Sequence, residues 1–120
     1  MLEPIQSSAD NVVAIRATGT VTGDDYENML IPLIEQKLDQ HDKIRLLYHL
    51  GPEFAGYDAG AMWDDTKIGL KHLTHFEKIA VVTDVDWVIR LVKAAGFLIP
   101  GEVRCFANSE LAAAQTWISQ

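Results

Sequence analysis

"EKIAVVTD", residues 77–84, decides the fold, because it is apolar at every position from Ile79 to Val82. Successive side chains of a strand point to opposite faces, so an unbroken apolar run describes a strand covered on both sides, as in a parallel sheet flanked by helices. Downstream, Trp87, Val88, Leu91, Val92 and Ala95 recur at helical spacing, and Gly96 is the expected C-terminal stop. "EVRCFA" (102–107) reads as a further strand, and "NSELAAAQTWIS" (108–119) as a helix capped by Asn108 or Ser109. Upstream, "KIRLLYHL" (43–50) reads as a strand that Gly51-Pro52 stops. From Asp58 onward, Ala59, Met62, Trp63, Thr66, Leu70 and Leu73 mark one helical face.

The first forty residues repeat the pattern. "NVVAIRATG" (11–19) is rich in β-branched residues and predicts a strand ending at Gly19. Tyr26, Met29, Leu30, Leu33, Ile34 and Leu38 then recur at three and four, an amphipathic helix with Thr22 or Asp24 as its cap. Pro32 removes a backbone donor inside that run and predicts a kink or a helix start near residue 31. "EPIQ" is a short edge strand, where Pro4 is tolerated. Consecutive strand–helix–strand units force parallel pairing, so the expectation is an α/β protein with a mostly parallel sheet of about five strands and helices packed on it. Residues 1–120 are expected to form one domain.

Seventeen acidic residues against ten basic ones give a formal charge of −7, which repels phosphate backbones, and no concentrated basic patch offsets it. The mixed run of Lys67, Lys71, His72, His75 and Lys78 is interrupted by Glu77 and preceded by Asp64 and Asp65, and reads as a solvated face. No nucleic-acid partner and no membrane insertion are expected, since no apolar run approaches a bilayer span. The lone Cys105 lies in an apolar strand, reads as structural, and suits a reducing, cytoplasmic setting.

Ligands of parallel sheets bind beyond the carboxyl ends of the strands, which directs attention to residues 51–58, 83–87 and 108–109. Glu53, Asp58, Asp84 and Asp86 could form a magnesium site or, with His49, an acid/base pair, but no metal-loop spacing is present and their positions suit helix capping. Because acidic side chains occupy three of four helix starts, the same positions argue against a phosphate ligand. No serine sits in a GxSxG elbow, and His72 with His75 lacks a third zinc ligand in sequence. The apolar loop residues are more telling. Trp63 and Trp87 open two helices at one end of the sheet, and Phe97, Leu98 and Ile99 occupy a connection where polar residues are usual, so they wall a pocket or belong to the core. Trp117 reads as core.

"ATGTVTGDDYENM" (17–29) together with "HFEKIAVVTDVDWVIRL" (75–91) and "GEVRCFANSELAAAQTWI" (101–118) resembles the SpoIIAA-like proteins, small bacterial members of the STAS superfamily. That resemblance implies regulation by protein contact, with an anti-sigma factor antagonist binding a partner kinase and a serine at the start of the helix after the third strand acting as the switch. A related CRAL-TRIO architecture implies lipid carriage. Here the stretch Tyr57-Asp58-Ala59-Gly60 carries alanine where the hydroxyl is expected, and alanine cannot accept phosphate. The resulting expectation is a non-enzymatic, cofactor-free binding domain for a nonpolar small molecule, through Tyr57, Met62, Trp63, Trp87, Leu91, Phe97 and Leu98, without a metal. The alternative is a phospho-independent module for a protein partner or a second copy of the chain.

Overall fold

In the computed structural model, which describes residues 1–7, 9–60, 73–96 and 100–120, one five-stranded sheet carries the architecture. Strands β1 (Leu2–Pro4), β2 (Val12–Val21), β3 (Ile44–Tyr57), β4 (Phe76–Thr83) and β5 (Glu102–Phe106) lie side by side in chain order. The first pair is antiparallel and the other three are parallel. Helices are α1 (Gly23–Asp25), α2 (Ile31–Leu38), α3 (Asp86–Ala95) and α4 (Leu111–Ser119). None among the described residues is long and apolar enough to cross a membrane.

Because strand order equals chain order, right-handed crossovers leave the linking helices on one face. Ile34 and Leu38 of α2 and Val88 and Val92 of α3 share an apolar layer with Val13, Ile15, Ala17, Tyr48, Leu50, Ile79 and Val81. The alternate residues of the same strands, Val12, Ala14, Leu47, Ala80 and Val82, pack with Phe106 against Ala114, Trp117 and Ile118 of α4 on the opposite face. Both sets come from β4 in strict alternation, which is why its sequence is apolar throughout. Trp117 is core, as its sequence context implied, and cations hold the end of its helix: Lys78 Nζ donates to Trp117 O at 3.3 Å and Arg45 Nη1 to Ile118 O at 2.8 Å. Arg45 also pairs with Glu77 at 2.8 Å. Cys105 packs half-buried against the α2–α3 layer, and burial pushes its thiol pKa up against the opposing pull of Lys93, which suits an inert thiol.

Pro32 is absorbed without a break. A π turn, Tyr26–Leu30, precedes α2, with the Ile31 N–H reaching back to Tyr26 O, and the proline falls in the first turn of α2, where a missing donor is harmless. Thr22 is the cap of α1: its Oγ1 accepts from Asp25 N at 3.2 Å while Asp25 Oδ2 accepts from Thr22 N at 2.8 Å.

Four local readings are corrected. Gly51-Pro52 does not stop β3, which runs on to Tyr57, because past Leu50 it has no β4 partner and the proline falls in a register shift against β2, between the Ala17–Leu50 and Gly19–Phe54 pairs. Gly19 likewise marks that irregularity rather than the end of β2, its φ of 59° being glycine territory. Asp84 does not cap α3; Val85 occupies that place and Asp84 Oδ1 instead accepts from Asn108 N at 3.0 Å. Neither Asn108 nor Ser109 caps α4, which a 3-10 turn (Asn108–Glu110) introduces, with Ala107 N donating to Glu110 Oε1; Gly96, by contrast, ends α3 as expected, in right-handed geometry with φ −60°.

Candidate functional site

The extension of β3 beyond Leu50 brings two aromatic side chains to the carboxyl end of the sheet on the α2–α3 face. Phe54 and Tyr57 meet edge-on at 5.2 Å between ring centroids, and Trp87, in the first turn of α3, closes the group at 6.3 Å from Phe54 and 6.1 Å from Tyr57. Tyr26 lies under Tyr57 at 6.3 Å, nearly parallel to it. These are the offset and edge-to-face separations at which aromatic rings attract. Trp87 and Leu91 stand four residues apart on one helical stripe and are 46% and 54% exposed, whereas Val88 between them turns inward.

Under the rings lies a polar thread. Tyr57 Oη donates to Tyr48 Oη at 3.0 Å, and Tyr48 Oη lies 3.1 Å from Tyr26 Oη. Tyr26 and Tyr48 are buried, so their hydroxyls satisfy one another instead of water. The outcome is an apolar wall with hydroxyl groups at its base.

Of the expected site residues, Tyr57, Trp87 and Leu91 fall at this place. Met62, Trp63, Phe97 and Leu98 lie outside the described residues. Phe54 and Tyr26 were missed: the first because residues 51–58 read as loop, the second because it read only as helix core. The glycine of "FAGY", with φ 139° at Gly56, was the signal that an extended segment with a bulge continues there.

The position resembling the antagonist serine is Ala59, at the start of the next helix. Asp58 N donates to Val21 O at 3.0 Å and ties the end of β3 to that of β2. A Cβ on Gly60 would stand 3.4 Å from Gly23 Cα, so the backbone there lies close against the start of α1.

His49, the candidate base, is buried on the other face, beside Arg16, its register partner on β2. Burial and the neighbouring guanidinium hold its pKa below the ordinary histidine value, while Asn108 and Glu53 pull the other way. The Asp58 backbone is tied to the end of β2, and the Asp84 carboxylate accepts from Asn108 N. No cluster of three or more His, Cys, Asp or Glu suited to a metal occurs among the described residues.

The lowered His49 pKa has a measurable consequence. The unfolded chain binds the His49 proton more readily, so the stability due to a neutral ring is intact above about pH 6.5 and drains away as pH falls below it. His49→Gln lacks that slope. Urea unfolding in bis-tris buffers should show the stability gap between wild type and variant narrowing between about pH 7.5 and pH 5, and a constant gap overturns the assignment.

A SpoIIAA-like family model matches residues 12–119. Among solved structures, the chain is similar to an uncharacterised DUF3478-family protein with a SpoIIAA-like fold from Shewanella loihica PV-4, with 30% identity, a TM-score of 0.76, and coverage of 98% of this chain and 92% of that one. A search of curated proteins gives no match.

Proposed function

Since the chain belongs to the SpoIIAA-like family, we propose that it is a non-enzymatic STAS-type binding domain that takes a nonpolar small ligand against Phe54, Tyr57, Trp87 and Leu91. The observation that supports this reading is Trp87 and Leu91 facing solvent beside an aromatic wall, where a helix of this kind would ordinarily present polar residues.

A neutral naphthylamine fluorophore is the probe. Saturable binding by the wild type that Trp87→Ala weakens about tenfold supports the reading. The same substitution removes two ring contacts, with an expected stability loss of about 1–3 kcal/mol, so binding is compared under conditions where urea unfolding shows both proteins folded. Equal affinity in both proteins, or no saturable binding by either, overturns it.

The second reading is a phospho-independent protein-interaction module. It is supported by alanine at position 59 and by an indole that stands out from the surface, the side chain most often found at interface hot spots. Under this reading the wild type ignores the fluorophore, and Trp87→Ala reduces self-association or partner association in sedimentation experiments.

A further inference from the structure

The two edges of the sheet are finished differently. β1 is three residues long and includes Pro4, which has no N–H to donate to a further strand. β5, at the other edge, has five residues with no proline, no glycine and no register shift against β4. Among the described residues no strand pairs with its outer side. Its side chains alternate: Val103 and Cys105 join the α2–α3 layer, whereas Arg104 lies over Phe106 and Trp117 on the α4 face, and Glu102, two residues earlier, shares that face. Glu102 and Arg104 are both exposed, and neither makes an ion pair among the described residues. On the α3 side of the strand, a cavity of about 290 Å³ is lined by Val92, Lys93, Gly96, Val103 and Cys105.

An open edge of this kind accepts one more strand, and the charges on β5 decide how a copy of itself would fit. When two such strands meet antiparallel about a two-fold axis, directly opposed residues lie on the same face of the joined sheet, so one residue faces its own copy and the rest of the register follows. An axis at Arg104 sets arginine against arginine, and an axis at Glu102 sets glutamate against glutamate, a repulsive arrangement in either case. Axes at Cys105 or Phe106 give Arg104 no carboxylate to face. An axis at Val103 opposes Glu102 to Arg104 on both sides of the centre, and it brings the two Val103 side chains together beside the cavities. The formal charge of −7 makes two copies repel at long range, an effect that salt at about 0.15 M screens beyond about 8 Å without reaching pairs in contact.

We propose that the outer edge of β5 is a docking surface for a second copy of this chain, paired antiparallel about Val103 so that Glu102 of each copy meets Arg104 of the other and one sheet continues through both. Main-chain hydrogen bonds of the added strand supply the attraction, and the two charge pairs fix the register. Five residues make a small contact, so the dimer is a weak one that forms at high micromolar concentration. The inference does not depend on what the aromatic wall binds.

The test is sedimentation velocity of the intact chain at about 0.15 M salt, from about 10 μM to about 1 mM. The wild type should pass from monomer to dimer, Glu102→Lys should weaken dimerisation about tenfold, and Arg104→Glu added to Glu102→Lys should restore it. A cross-link reads the register independently of the charge variants. Val103→Cys combined with Cys105→Ser should give a covalent dimer under mild oxidation, whereas in the wild type the two Cys105 residues would stand roughly 14 Å apart along the strands, beyond disulfide reach. A wild type that stays monomeric throughout, or dimerisation undiminished in Glu102→Lys, overturns the proposal. So does preferential cross-linking of the wild type through Cys105, or loss of the dimer in Trp87→Ala but not in Glu102→Lys, which would assign self-association to the aromatic wall.

Discussion

Trp117→Ala should destabilise the protein by about 3–5 kcal/mol. The indole is 9% exposed, lies 5.9 Å from the Phe106 ring, and sits beneath two cations, with Lys78 Nζ at 5.0 Å and Arg104 Cζ at 5.3 Å from its centroid. Truncation removes the buried ring and leaves a space that α4 must collapse into, and it also strips Lys78 of its π partner and leaves Arg104 with Phe106 alone. Urea unfolding should show a lower midpoint with an unchanged slope, the sign of lost stability without loss of two-state behaviour. A loss below about 1 kcal/mol means that α4 is not a structural lid on the sheet.

Gly101→Ala is the second large effect, and its cause is space rather than backbone conformation. A Cβ at residue 101 would lie 2.5 Å from Phe76 O and 2.6 Å from Glu77 O, and neither atom belongs to a side chain that can swing away. The start of β5 would have to move off β4 at the Lys78–Glu102 pair, with a loss of about 3 kcal/mol, the upper end for forcing one methyl into a packed place. Gly96→Ala is the control. Its Cβ would meet Val103 at an ordinary 3.7 Å in right-handed backbone, so it should be neutral or stabilise by about 0.5 kcal/mol. Equal melting temperatures for the two variants would refute the steric account.

The contrast between Ile79–Val82 and Gly51-Pro52 explains how much could be read in advance. Apolar residues at odd and even positions are a direct imprint of two covered faces, so the parallel sheet was legible from one octapeptide. Pro32 was equally informative, because a missing donor acts locally. Gly51-Pro52 misled because what permits its passage is tertiary: β4 ends opposite Leu50, freeing that edge of β3. Asp84 misled for the same reason, since the Asn108 N–H that captures it comes from another part of the chain. In the aromatic wall, Trp87, Leu91 and Tyr57 were legible from type and position, whereas Phe54 depended on the unforeseen strand extension. The nearness of Arg16 and His49 was illegible, as those two become neighbours only through strand register.

Of the described elements, α4 leaves the ribosome last, and that ordering has a consequence for biogenesis. Until residues 111–119 emerge, Val12, Ala14, Leu47, Ala80 and Val82 have no cover, and a nascent chain with its other helices docked still displays one greasy side. Premature termination within the final helix therefore yields sticky fragments, clients for chaperones or proteases, rather than slightly weakened copies of the whole.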